Sequence, residues 1–194
     1  MKKSTYHHGD LRLALIENGL RLLAQEGEPD KLSLREVARS AGVSATAVYH
    51  HFPDKRALLD AVAEEGMARL AAAQHLASDA AGGGPAGFAA TGRAYVAFAL
   101  KNPALFKLIF SARHSVLDDA DGEIPEAVGF LLANAAALAP RGSDESVARV
   151  IAVRSWAMAH GLSLLMLGGQ VPLSQDLIDQ VLNPDGPGEK RVCP

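Results

Sequence analysis

The segment from Ser33 to Pro53, "SLREVARSAGVSATAVYHHFP", leaves room for two helices of only about two turns each, roughly 12 Å at 1.5 Å per residue. Ser33-Leu34-Arg35-Glu36 reads as a capping box, in which the Ser33 hydroxyl and the Glu36 carboxylate serve each other's orphan backbone N–H groups. Gly42 suits the left-handed position that ends the first short helix. Ser44 caps the second, which stops at Phe52-Pro53. Two short helices joined through a glycine turn match helix-turn-helix geometry.

The rest of the chain offers no strand-like alternation, and 48% hydrophobic content with 5% aromatics implies a core of Ala, Leu and Val in helices. A first helix is expected from about Asp10, burying Leu13, Ile16, Leu20 and Leu23, and ending at Gly27 and Pro29. Asp54 caps a fourth, with Leu59, Val62, Gly66 and Leu70 along one side. "SDAAGGGPAG" connects it to a helix ending at Lys101, and Asn102-Pro103 opens another through about Ser115. The acidic residues 118–123 read as a solvated loop. Helices near 125–138, 144–167 and 173–182 follow, before a tail rich in Pro and Gly. The expected fold is all-α. A helix-turn-helix head spans 1–55, a larger helical bundle 56–183, and a disordered tail 184–194.

Charge is split along the chain. Residues 1–56 hold nine basic and seven acidic side chains, while the whole carries −3, so a slightly basic head precedes an acidic body. The lone cysteine, Cys193, excludes an internal disulfide. No apolar run behind the basic start reads as a signal peptide. No apolar stretch approaches the ~20 residues that cross a bilayer, so a cytoplasmic protein without a membrane partner is expected.

On the second short helix, Val43, Val48 and Phe52 fall on the side that packs against Leu34 and Val37. Ala45, Thr46, Tyr49 and His50 fall on the other. A two-turn helix with a free outer face fits the major groove of duplex DNA. Tyr49, His51 and Lys55 lie where phosphates would pass, and Ser33 and Ser44 sit at helix N-termini able to accept an anion. A compact helical corner with two surface histidines is the plain alternative.

"LSLREVARSAGVSATAVYHHFPDKRALLDAV" closely resembles the DNA-binding head of TetR-type transcriptional regulators, and "YHHGDLR" resembles the start of many of them. "NPALFKLIF" and the Trp156, His160, Gly161 pattern resemble a C-terminal subtype named for its Trp-His-Gly motif. The resemblance implies a homodimer on a palindromic operator, acting as a repressor, with a pocket whose small-molecule ligand releases the DNA. It also makes Ser33 the phosphate-binding start of the second helix, makes Tyr49 and Lys55 phosphate contacts, and makes Ala45, Thr46 and His50 base readers. The third helix departs from tight direct readout, because it holds no Arg, Asn or Gln for a bidentate purine contact. Thymine methyl groups against Ala45 and Thr46, with basic residues of the N-terminal arm, would have to serve instead.

Trp156 and His160, four apart, share a helix face and are either core, with His160 on a backbone carbonyl, or the wall of a ligand pocket. Phe98, Phe106 and Phe110 carry the same two readings. The pairs His7-His8 and His50-His51 lack acidic or Cys partners at ligand spacing, so neither a metal nor a cofactor is expected. No nucleophile–base set stands at a recognisable motif, so an enzyme is not expected.

Overall fold

The computed structural model describes residues 8–111 and 126–182, without the side chains of residues 8–10. The N-terminal arm, the acidic loop at 118–123, the expected helix end near Ser115 and the tail with Cys193 lie outside the described residues. Those residues form nine α-helices and one 3-10 turn, with no strand among them. The helices are α1 (His8–Glu26), α2 (Leu34–Ala41), α3 (Ala45–Tyr49), α4 (Lys55–Ala80), α5 (Gly84–Lys101), α6 (Pro103–Ile109), α7 (Glu126–Leu138), α8 (Glu145–Leu167) and α9 (Gln175–Val181). The 3-10 turn, Pro29–Lys31, follows Gly27.

The chain divides into two compact units. The first holds α1–α3, α4 through Met67, and α6; the second holds α4 from Ala68, α5 and α7–α9. In the first unit, α1 buries Leu15, Ile16, Leu20 and Leu23. Leu13, expected in that core, is 59% exposed. Leu15 replaces it, because exchanging 13 for 15 turns the centre of the stripe by only roughly 40° about the helix axis. The same shift applies in α4, where Leu58 and Val62 are fully buried and Leu59 is only partly so. Gly19 lets α4 approach α1: a Cβ there would stand 2.9 Å from Val62. Gly66 does likewise for α6, since a Cβ would meet Leu105 at 2.7 Å. Helix α6 also packs on α1, although residues 68–101 of the second unit separate it in sequence from the rest of the first.

In the second unit α8 packs across α5 and α7, and α9 docks on α5. Arg93 and Asp179 pair at 3.7 Å across that last contact. The buried stripe of α8 is made of Ala148, Ala152, Ala159, Leu162, Ser163 and Met166. Ser163 is fully buried and donates to the Ala159 carbonyl at 2.7 Å, so its hydroxyl is satisfied within the helix. His75 lies against Phe130 with ring centroids 3.7 Å apart, joining the end of α4 to α7.

The expectation of no bilayer-length apolar stretch is corrected by α8. It is 23 residues long, and an 18-residue window averages a hydropathy of 1.5, enough in length and composition to cross a membrane. Arg154, His160 and the serines interrupt the sequence to the eye, but the Val, Leu, Met and Ala between them keep the mean high.

Candidate nucleic-acid interface

Local sequence rules build the α2–α3 pair. Ser33 Oγ accepts from the Glu36 N–H at 3.2 Å. The reciprocal half of the box differs from expectation: the Ser33 hydroxyl donates to the Glu36 carboxylate at 3.0 Å. Gly42 ends α2 at φ 69°, where a side chain would be strained. Its neighbour Val43 donates back to the Ala38 carbonyl at 3.0 Å, closing the helix end. Ser44 Oγ then caps α3 by accepting from Ala47 N–H at 3.2 Å. α3 is shorter than expected, five residues, because His51 and Phe52 both donate to the Val48 carbonyl and tighten the chain into a turn.

Packing sorts the two faces of α3. Val48 and Phe52 are buried, along with Leu34 and Val37 of α2. Ser44, Ala45, Thr46, Tyr49 and His50 are exposed, Tyr49 by 50%, while His51 is partly covered. A tyrosine half in water on a helix this short has no packing role on its outer side. Asp54 Oδ1 caps α4 by accepting from Ala57 N–H at 2.8 Å. Beside it, the Lys55 ammonium donates to the Asp30 carbonyl at 2.6 Å, a partner the sequence did not reveal. That bond uses one of three N–H donors and anchors the cation at the start of α4. Arg21 ties α1 to α2 by donating to Asn18 (2.8 Å) and to Ser40.

The five residues singled out for a ligand are shared between the two units. Phe106 and Phe110 stack on each other in α6 of the first unit, with centroids 4.9 Å apart, and Phe106 is fully buried. Phe98, Trp156 and His160 belong to the second unit. There the structure adds a residue that sequence reasoning missed. Trp156 Nε1–H donates to the Tyr95 hydroxyl at 3.1 Å, and that hydroxyl lies 2.8 Å from His160 Nδ1. An indole N–H can only donate, so the phenol oxygen accepts from Trp156. His160 thus has a side-chain partner, the Tyr95 hydroxyl, that the sequence did not reveal. Burial lowers its pKa. Burial also raises that of Tyr95 far above the ordinary phenol value, offset in part by the bond from Trp156. The only sequence signal for Tyr95 is its place, three residues before Phe98, on the helix that α8 crosses. Among the described residues, no group of three or more His, Cys, Asp or Glu is arranged to hold a metal ion.

A capped short helix with a packed inner face and an exposed outer face, set behind a glycine turn, defines a helix-turn-helix DNA-binding protein. Residues 15–62 match the family model described as bacterial regulatory proteins, tetR family, and residues 88–183 match the tetracyclin repressor-like C-terminal domain. A helix-turn-helix-type transcriptional repressor of Mycobacterium tuberculosis is 37% identical over 71 residues, which span 37% of this chain and 37% of that relative. The aligned part is thus little more than a third of the curated relative's length. A solved structure of a Rhodococcus protein of unknown function is 36% identical, covers 93% of both chains and superposes with a TM-score of 0.71. The multidrug binding protein EbrR, solved with imidazole, is 25% identical over 93% of this chain and 97% of its own, with a TM-score of 0.53. The chain belongs to the TetR family of DNA-binding transcriptional regulators.

Proposed function

We propose that this regulator represses transcription by binding a palindromic operator as a homodimer, and that a small, largely apolar molecule releases it. The observation that carries the reading is the outer face of α3: Ala45, Thr46, Tyr49 and His50 are exposed on a helix whose inner side is fully packed. In this reading Ala45, Thr46 and His50 meet base edges. Tyr49, His51, Lys55 and the N-termini capped by Ser33 and Ser44 meet phosphates. Because the Ser33 hydroxyl is engaged with Glu36, the free backbone N–H groups at the start of α2 make its phosphate contact. Residues 1–55 form the DNA-binding part and 56–183 the regulatory part, and the protein works in the cytoplasm, where its DNA is.

Dimerisation is supported by α8. Opposite its buried stripe, Val150, Val153, Met158, Leu164, Leu165 and Leu167 are exposed. Gly161 lies within that helix with open space around it, room for a second helix to approach closely. The effector site is assigned to the second unit, at Phe98, Tyr95, Trp156 and His160, where a polar relay stands among apolar side chains. Phe106 and Phe110 are assigned to the packing of α6. EbrR, a multidrug binding protein, is similar in fold over nearly the whole chain. Binding releases DNA only if the effector favours the conformation that fits the operator less well, with coupling of about 1–3 kcal/mol.

Trp156 is the only tryptophan, so its emission isolates this site. A library of apolar compounds titrated against the DNA complex should yield one that shifts the emission and releases DNA at the same concentration. Release without any change at Trp156, from a protein in which Phe98→Ala is silent, would move the effector site elsewhere.

A further inference from the structure

Helix α8 carries two unmatched charges on its outer face. The first is Arg154, which is exposed and makes no ion pair or hydrogen bond among the described residues. It shares a face with Val150, Gly161 and Leu165, since residues seven apart on a helix differ by only roughly 20° about its axis. A lone cation thus stands in the middle of the apolar outer side. The second is the C-terminus of the helix itself. Asp144 and Glu145 complement its positive N-terminal end, but no basic residue occupies its last turn. The N–H groups of Gly168, Gly169 and Gln170 serve the carbonyls of Leu164, Met166 and Leu165. The carbonyls of Leu167 and Gly168 accept from no group among the described residues, and both residues are exposed.

These two features are placed symmetrically. Arg154 lies seven residues before Gly161 and Gly168 seven after it, each roughly 10 Å away along the axis. Open space surrounds Gly161 where a Cβ would stand, which makes it the point at which a second helix can come nearest. A two-fold axis beside Gly161 allows two directions of pairing. In a parallel pair each Arg154 stands beside its own copy, two like charges in an apolar contact. In an antiparallel pair each Arg154 stands beside Gly168 of the partner subunit, where the helix dipole is negative and carbonyls lack donors.

We propose that two copies pair through α8 in antiparallel order around Gly161, and that each Arg154 guanidinium caps the other helix by donating to the carbonyls of the partner's Leu167 and the partner's Gly168. The inference rests on the homodimer reading and adds to it a direction and the residue that sets it. Charge complementarity names the occupant of this face: a second copy matches both the cation and the bare helix end, whereas a plain apolar surface would leave the cation buried without a partner.

Sedimentation of the full chain gives the dimer dissociation constant for wild type, Arg154→Ala and Arg154→Glu. Arg154→Ala should weaken the dimer about 10–100-fold over its two equivalent contacts, and Arg154→Glu more, because a carboxylate then meets a negative helix end. Added salt should narrow the gap between wild type and Arg154→Glu. Circular dichroism should give the same helix content for all three. Direction is read separately in a Cys193→Ser background. Ala157 and Leu165 stand four residues to either side of Gly161, so Ala157→Cys and Leu165→Cys proteins, mixed and oxidised, should form a disulfide with each other and neither with itself. A self-linked Ala157→Cys dimer would make the helices parallel and overturn the proposal. Arg154→Ala and Arg154→Glu dimers as tight as wild type would overturn it too, while leaving the homodimer standing. A wild-type protein that sediments as a monomer fails the homodimer reading itself, and the role of Arg154 with it.

Discussion

Lys55 shows how a side chain's hydrogen-bond partner can escape a reading of the sequence. Its number along the chain put it near the phosphates, but its bond to the Asp30 carbonyl depends on a 3-10 turn packing beside the start of α4, which local patterning does not encode. Under the proposed role, Lys55→Ala weakens specific and random DNA binding alike and flattens the salt dependence by about one unit of slope. A changed sequence preference at unchanged affinity would contradict it. Tyr49→Phe should cost about 0.5–1.5 kcal/mol of binding through one lost hydrogen bond, read by the same titrations. In the second unit, His160 was legible as a partner of Trp156 because the two are four apart on one helix. Tyr95 was not, because sixty-one residues separate it from Trp156 and only tertiary packing of α8 on α5 joins them. Tyr95→Phe removes the bonds that Trp156 and His160 make to the shared hydroxyl and should destabilise the fold by about 0.5–1.5 kcal/mol for each bond lost, read by denaturant melts. The relay also carries a pH signature. The folded state lowers the His160 pKa, so below about 6.5 the unfolded chain binds more protons than the folded one. That contribution to stability is complete above about pH 6.5 and is lost as pH falls below it. In His160→Asn, where the amide oxygen can still accept from Tyr95, denaturant melts between pH 7 and 5 should show a smaller acid loss than wild type. Equal acid slopes for the two proteins would remove His160 from the account.

At the scale of elements, caps and glycines were the readable part. Ser33, Gly42, Ser44 and Asp54 each sit at a helix end whose geometry depends on neighbours within a few residues, and all four do what their residue types demand. Helix faces were less readable where Ala is abundant, since an apolar stripe can turn slightly about the helix axis at little cost; this is why Leu15 and Leu58 took the places expected of Leu13 and Leu59. The placement of α6 was not legible at all. Its docking on α1 and against Gly66 is a long-range contact, and seven residues opened by Asn102-Pro103 look the same in either unit. The element with the largest untested consequence is α8. Its apolar side chains at Val150, Val153 and Leu164 are exposed, and the proposed pairing with a second copy around Gly161 would cover them. Leu164→Glu together with Val153→Glu should convert a dimer into a monomer in sedimentation at micromolar concentration, leaving helix content unchanged. A wild-type protein that sediments as a monomer at that concentration while binding DNA at full affinity would refute this use of the face.

For the whole molecule, the two units imply separable tasks. One carries the residues proposed to face DNA, and the other carries Tyr95, Trp156 and His160 together with the exposed apolar residues of α8. A homodimer with two-fold symmetry presents two copies of α3 and therefore matches DNA whose sequence has the same symmetry, with half-site centres about 34–36 Å apart or a small multiple of it. Mild overall charge, −3 for the chain, means that attraction to phosphates rests on the few cations around α2–α4 rather than on a broad basic surface, so affinity for random DNA should be modest. Sequence preference then has to come from α3 and its flank. Selection of binding sites from a pool of random duplexes at ~150 mM salt tests this most directly. The account predicts strong enrichment of one inverted repeat, and loss of the enrichment when Thr46 and His50 are both changed to Ala while random-DNA affinity stays nearly the same. Enrichment of no sequence, or of a site that the double variant selects equally well, would contradict it.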